Sequence, residues 1–459
     1  MMIKIIEKDV LIIGGGPAGM SAAVSLKENG IDNILILERK PYLGGILRQC
    51  IHPGFGIFEF NSSLTGPEYA RVYFQKILSL GIEASLNTTV ISISKDKTVT
   101  AVSPDGLVMY KTKAIILAMG CRERTRGAIS VPGTRPSGVL TAGTAQEYIN
   151  LKNKKIGKTA VLLGSGDIGL IMARRLTLEG ITVKGVYEIQ SQPSGLNRNI
   201  RQCLDDFGIP LFLNKTVTRI NGNSRVESVV ISDVDENLKP IQGTEEDVDC
   251  DTLILSVGLI PETELLSEID IAIDPETKGA LVDEFLQTSL DGIFAAGNIV
   301  RVHDLVDDVS AQAKACAQGV KAHLEGSFIE SEASSLIKPH NTRETTKKAD
   351  YICIQCPKSC NITIEDGVIK GNACPKGEEF VKSELSAPVR DITTTVFVSG
   401  GERSSCSVRL TKPVPKNKMF DAINEIKKIK LTAPVKAGTV ILKSILGTDS
   451  DVITTDSVK

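Results

Sequence analysis

Val10-Leu-Ile-Ile-Gly14-Gly-Gly16-Pro17-Ala18-Gly19, an amphipathic run to Asn29, then Gly30 and Ile34-Leu-Ile-Leu-Glu38 decide the fold. An apolar strand, a glycine turn, a helix and a second strand ending in an acid form the βαβ pattern that binds a dinucleotide. The first glycine permits the tight turn, the second lets the backbone approach a pyrophosphate, and the third lets helix pack on strand. The helix N-terminus offers free N–H groups to the phosphates, and the terminal acid accepts hydrogen bonds from ribose hydroxyls. Alone, such a glycine turn is a weak signal. Here it occurs twice. Ala160-Val-Leu-Leu-Gly164-Ser-Gly166-Asp167-Ile168-Gly169 repeats it, with Gly180 and Glu188 in the matching places. Gly14, Gly16, Gly19, Gly30 and Glu38 each recur 150 residues later, and both copies place the acid 24 positions after the first glycine.

The chain's 459 residues give a length prior of two to four domains. With 42% apolar and 24% charged residues it reads as a globular protein. A net charge of −2 and the absence of Trp argue against nucleic-acid binding. Residues 1–340 hold 34 basic and 41 acidic side chains, whereas 341–459 hold 19 and 14. The polar stretch between them, residues 331–349, has linker composition. Met1–Val10 lacks the apolar core of a signal peptide, and no run is long enough for a transmembrane helix, so a cytoplasmic location is expected. Thiols clustered in such a compartment bind metal or do redox work more often than they form disulfides.

Further features accompany the first copy. Arg39 and Gly45 follow Glu38; Ala118-Met-Gly120 and Ser256-Val-Gly258-Leu-Ile-Pro261 flank the second copy; and Thr288-Ser-Leu-Asp-Gly-Ile-Phe-Ala-Ala-Gly297-Asn298 lies downstream. Over residues 8–325 this set resembles the pyridine-nucleotide disulfide oxidoreductase superfamily. The resemblance implies FAD at the first copy and a nicotinamide dinucleotide at the second. Asn298 stands where the family usually has an Asp that contacts the ribityl chain, and Ser310 marks a helix start facing the flavin. His303 lies beside it, as a proton-handling group or a structural histidine. Glu188 welcomes a 2′-hydroxyl and repels a 2′-phosphate, which favours NADH, with Arg198 and Arg201 the cations nearest in sequence. The expected fold is α/β, with two Rossmann-like three-layer dinucleotide-binding domains, the second inserted in the first. Expected limits are 1–153 and 253–330 for the FAD domain, 154–252 for the NAD(P) domain, and 350–459 for a cysteine-rich α+β domain.

Disulfide-reducing relatives carry a close Cys pair beside the flavin, but here only Cys50 follows Gly45, with His52 two residues on. Cys50 is therefore a candidate single redox thiol, with His52 to lower its pKa; an inert cysteine is the competing reading. At the other end, Cys353-Ile-Gln-Cys356-Pro-Lys-Ser-Cys360 and Cys374-Pro375 bracket an Asp366-Gly367 hairpin signal. Three close thiols and a remote Cys-Pro fit the four corners of a [4Fe–4S] cluster better than the paired knuckles of zinc, which stays the alternative. Residues 351–377 resemble the [4Fe–4S] module of molybdopterin oxidoreductases. The flavoprotein part also resembles accessory subunits of anaerobic glycerol-3-phosphate dehydrogenases and small subunits of opine oxidases. That implies a partner dehydrogenase that oxidises a small substrate; the leading expectation is an FAD-dependent NAD(P)H oxidoreductase that moves electrons between NADH, FAD and the [4Fe–4S] cluster and on to or from that partner, in a homo- or hetero-oligomer. The competing functions are a self-contained NADH oxidase or peroxidase using Cys50, and a zinc-bearing scaffold with vestigial nucleotide sites.

Overall fold

The computed structural model describes residues 4–327 and 350–459. Two compact units divide the chain: Met1–Arg122 with Leu259–His340, and Glu123–Gly258 with Asn341–Lys459. The expected linker, 331–349, lies outside the described residues.

In the first unit, Lys4–Ile13 is the middle of a largely parallel sheet. Ile34–Leu37 and then Glu83–Ser85 extend it on one side, and the long strand Gly106–Leu117 lies on the other. The second half of that strand pairs with Ile293–Ala295, and its first half carries the antiparallel strands Thr98–Ser103 and Thr89–Ile93. Val10–Ile13 and Ile34–Leu37 are buried along their whole length, as a parallel strand covered on both faces must be. One face packs on the helices Pro17–Glu28, Gly66–Ser79 and Val306–Glu325; the other is closed by Leu266, Ile269 and Ile271.

The second unit holds a five-stranded parallel sheet in the order 139–141, 252–255, 159–163, 182–187, 211–212, followed by a three-stranded antiparallel sheet. Val139–Thr141 pairs with Thr252–Leu255, so this unit begins at Glu123 and not at the expected 154. A three-residue strand is too short to show a period in sequence. The carboxy-terminal region belongs to the same unit. It contains the expected hairpin Asn361–Glu365/Val368–Lys370, turned by Asp366 and Gly367 at φ 51° and 78°, and a five-stranded sheet packed on the helix Met419–Lys427. An amphipathic helix over 420–431 is expected from sequence. It ends at Lys427 because Lys430–Thr432 joins the sheet edge beside Thr393–Ser399.

This carboxy-terminal core reaches into the dinucleotide domain. Leu178 belongs to it, and Phe207 packs against it. Arg175, buried on the Asp167–Leu178 helix, donates to Asn150 Oδ1 at 2.9 Å and to the hydroxyls of Thr394 and Thr395 at 3.0 and 3.2 Å. Arg390 closes a second buried contact with Asp206 and Glu384. Burial alone would lower its pKa; the two carboxylates prevail and hold the guanidinium above its ordinary range.

Candidate functional site: two dinucleotide loops and a cysteine set

The 150-residue repeat extends to single hydrogen bonds. Helices run Pro17–Glu28 and Asp167–Leu178. Glu38 accepts from the amides of Gly15 (2.8 Å) and Lys40 (2.7 Å). Glu188 accepts from the amides of Ser165 (2.9 Å) and Gln190 (3.0 Å). Each donor is the other's counterpart 150 residues on. Both carboxylates are buried, 6% and 4% exposed, yet fixed by backbone amides at the strand tip. Gly14 and Gly164 turn at φ 111° and 93°, and a Cβ on either would lie within 2.4 Å of a carbonyl oxygen, Ala118's or Ser256's. A Cβ on Gly19 would sit 1.9 Å from the Gly14 oxygen. Close packing of this kind leaves backbone, without side chains, at each helix N-terminus, where Pro17 and Asp167 are the first helical residues; such an end can bind a phosphate.

Around the first loop, Gly45 lies against Gly16, and Gly297 against Ala18, with 3.0 and 2.9 Å from a notional Cβ to the neighbouring carbon. Arg39 is largely exposed, 4.0 Å from Glu262. Asn298 follows the strand Ile293–Ala295 and donates to Cys121 Sγ at 3.4 Å. Ala118 and Gly120 continue the adjacent strand. Ser310 departs from expectation. The helix begins at Val306, so Ser310 falls in its second turn, fully buried, with its hydroxyl 2.7 Å from the Tyr69 hydroxyl. The first turn instead presents Asp307, whose carboxylate accepts from the amides of Gly56, Phe58 and Glu59.

At the second loop, Gly166 caps the helix and the Gly169 amide donates to Ser256 Oγ at 3.1 Å. Ile168 is a half-buried packing residue. Asp167 Oδ1 accepts from the Leu196 amide and Asn199 Nδ2, both at 2.8 Å, fastening the 196–199 turn. Gly258 turns at φ 103° and accepts from the Arg124 amide. Sequence reasoning missed Ser165 and Ser194, whose hydroxyls reach Glu188 at 2.5 and 3.4 Å. A serine inside the second glycine turn, where the first has glycine, was the available signal.

The sequence reads Cys50 either as a redox thiol activated by His52 or as an inert cysteine; burial pushes its thiol up to about 12, the direction of the inert reading. His52 Nδ1 lies 3.2 Å from the Pro53 carbonyl, and its ring packs on Phe55.

Of the four carboxy-terminal thiols, Cys353 and Cys360 are buried, Cys356 is half-buried, and Cys374 is exposed at the cap of the Pro375–Ser386 helix. Burial, then a backbone bond opposed by Cys356, Cys360 and Cys374, leaves the Cys353 thiol at about 11. Among the described residues, no three His, Cys, Asp or Glu side chains are gathered to hold a metal ion. Arg198 lies beside this loop. Its amide donates to Ser359 Oγ at 3.3 Å, and its buried Nε has no partner. Burial pulls its pKa down, while Asp167, Cys203, Cys356 and Cys353 act in the other direction. An unpaired buried Arg198 Nε beside Cys353 and Cys356 would offset negative charge on thiolates there, whereas the thiolates themselves would suit a metal. Arg201 pairs with Asp205 at 3.5 Å and Glu384 at 3.9 Å.

A parallel sheet with a glycine loop and buried acid, present twice, defines a two-dinucleotide oxidoreductase. The chain belongs to the pyridine nucleotide-disulphide oxidoreductase family, which matches residues 8–326. Its members are flavin-dependent pyridine-nucleotide oxidoreductases, and FAD and NAD(P)H are the cofactors this membership implies. Residues 375–456 match a family described as a protein of unknown function (DUF1667). The chain is 30% identical to a thioredoxin reductase of Listeria innocua, over 63% of this chain and 85% of that one. It is 27% identical to the glutamate synthase [NADPH] small chain of Escherichia coli, over 70% of each. The crystal structure of T. acidophilum thioredoxin reductase shares the fold at a TM-score of 0.56 and 24% identity, covering 70% of this chain and 99% of that one. No helix among the described residues is long and apolar enough to cross a membrane.

Proposed function

We propose that the protein is an NADH-dependent flavoenzyme that exchanges electrons between NADH, FAD and a [4Fe–4S] cluster on Cys353, Cys356, Cys360 and Cys374, and with a partner dehydrogenase subunit. The observation that carries the reading is the duplicated acid and loop: Glu38 and Glu188, each locked by the same pair of amides. FAD supplies hydride acceptance and one-electron release, and a cluster supplies one-electron transfer. Gly14 to Gly19 and Gly164 to Gly169 hold the two pyrophosphates with backbone N–H groups. Glu38 and Glu188 take the ribose hydroxyls with oxygens already oriented. The carboxylate of Glu188 disfavours a 2′-phosphate, and Arg201 is engaged by Asp205 and Glu384.

The outlet for electrons is not a flavin-side disulfide, because no close Cys pair exists in the flavin-domain sequence and the Cys50 thiol is held protonated. The cysteine domain shares a unit with the dinucleotide domain, and Arg198 supplies a buried positive charge beside Cys353 and Cys356. Both support a cluster there over a free-standing appendage; zinc at the same thiols is the second candidate. The resemblance to accessory subunits of glycerol-3-phosphate dehydrogenases supports a partner that oxidises a small polyol phosphate. A cytoplasmic, oligomeric protein is the setting we propose.

Anaerobic addition of NADH to the purified protein is expected to bleach the flavin absorbance near 450 nm, with NADPH at least about tenfold less effective. Iron and acid-labile sulfide in a 1:1 ratio, lost together in Cys356→Ser, should accompany it. Cys50→Ser is expected to change NADH oxidation by less than about twofold. Absence of bleaching refutes the enzyme, and zinc without iron refutes the cluster.

A further inference from the structure

Residues 194–199, which lead from the strand Thr182–Tyr187 into the helix Asn197–Cys203, are bonded to the second glycine loop. The Ser194 amide donates to Ser165 Oγ at 2.9 Å. The Leu196 amide and Asn199 Nδ2 donate to Asp167 Oδ1, both at 2.8 Å. Gly195 leaves no slack: a Cβ there would sit 2.6 Å from Leu170 Cδ1 and 2.8 Å from the Ser165 carbonyl oxygen. Within the same stretch, Arg198 bonds to the cysteine loop. Its amide donates to the hydroxyl of Ser359, which stands between Cys356 and Cys360. Ser359 is 3% exposed and sits at φ 52°, a conformation that a serine adopts at a cost. Its own amide donates to the Cys356 carbonyl at 3.2 Å, and the Cys353 amide donates to the Cys360 carbonyl at 3.0 Å. A change of shape in this loop therefore displaces the partner of the Arg198 amide.

Holding a metal demands such a change. Cys353, Cys356 and Cys360 lie in one short loop, yet no three ligating side chains are gathered among the described residues. The arrangement that ties residues 194–199 to both loops is thus the one with the thiols apart. We infer that residues 194–199 couple the two sites antagonistically: metal on the cysteine loop weakens dinucleotide binding at the second glycine loop, and the reverse. This rests on the cysteine-site reading proposed above and adds a regulation to it. Charge acts in the same direction. Arg198 is a single buried cation whose Nε has no partner, and Asp167, Cys203, Cys356 and Cys353 all act on it. Four thiolates around a divalent ion keep net negative charge, as a pyrophosphate does, so both draw on that one cation. The coupling must be equal in the two directions, and one lost tie amounts to about a factor of five.

The test uses the full chain with its flavin, its thiols freed of metal by a chelator under anaerobic conditions. Co(II) is the metal probe, because its thiolate charge-transfer band reports ligation. NAD+ is the nucleotide, because it cannot reduce the flavin. Calorimetry should give an NAD+ Kd about fivefold higher with Co(II) bound, and a Co(II) Kd higher by the same factor with NAD+ bound. Ser359→Ala removes the tie, and Ser359→Gly removes it with a residue at home at that φ. Both variants are expected to bind each ligand alone, with the coupling reduced below about twofold. An NAD+ affinity that Co(II) leaves unchanged or raises in the wild type overturns the proposal. Coupling that stays above about twofold in both variants overturns it too. A wild-type chain with no Co(II)–thiolate band overturns the cysteine-site reading and the coupling with it. One that takes Co(II) and binds no NAD+ overturns the nucleotide assignment instead, and again the coupling.

Discussion

Glu188 is held by four donors in the ligand-free chain: two amides and the hydroxyls of Ser165 and Ser194. Glu38 has the two amides alone among its bonds described above, because glycine stands where Ser165 stands. The extra hydroxyls fix the Glu188 carboxylate more firmly and spread its charge, so substitution there should act on nucleotide choice more than on fold. Glu188→Ala is expected to raise the KM for NADH about tenfold while leaving NADPH nearly unchanged, read from steady-state rates with each nucleotide. His303 illustrates the pH side. Its folded pKa of about 4 lies below the ordinary 6.5, so its contribution to stability is present above pH 6.5 and is lost as pH falls toward 4. The glycines and acids were legible in sequence because their chemistry is local and periodic. The serines on Glu188, the proton state of His303 and the raised Cys50 thiol were not, since each depends on what tertiary packing brings near.

At the scale of elements, the Asp167–Leu178 helix does two jobs along one axis. Its first turn faces the dinucleotide loop, and its last turn carries Arg175 into Asn150, Thr394, Thr395 and Glu179. Burial pulls the Arg175 guanidinium below its ordinary range and Glu179 opposes it, so the pair stands or falls together. Arg175→Met strands several buried acceptors. It is expected to lower the unfolding free energy by about 2–4 kcal/mol in urea, with NADH affinity unchanged because the helix N-terminus is untouched. The existence of this helix was plain from the repeat. Its second partner was not, because residues 394 and 395 lie more than 200 positions away in the chain. The Asp-Gly hairpin shows the opposite case: two residues set the turn, and sequence alone locates it.

For the whole molecule, the linear order of domains misleads. Charge and composition mark residue 341 onward as a separate appendage, yet it shares a unit and a core with residues 123–258. Removing residues 341–459 would bare Leu178 and Phe207 and leave Asp206 without Arg390 and Lys416. The truncated chain, although it retains every residue of the family match, is expected to melt at least several degrees lower and to aggregate on heating, measured by differential scanning fluorimetry and light scattering.

The twelve-residue helix that bears Arg175 is about 18 Å long, a single rigid rod. It makes the two ends of the second unit one inheritance. A chimera that exchanges the carboxy-terminal domain between relatives must carry its own Arg175 face with it. Recombination therefore has natural seams at 122/123 and 258/259, with the tail travelling alongside the insert and not with the flavin half that precedes it in the chain.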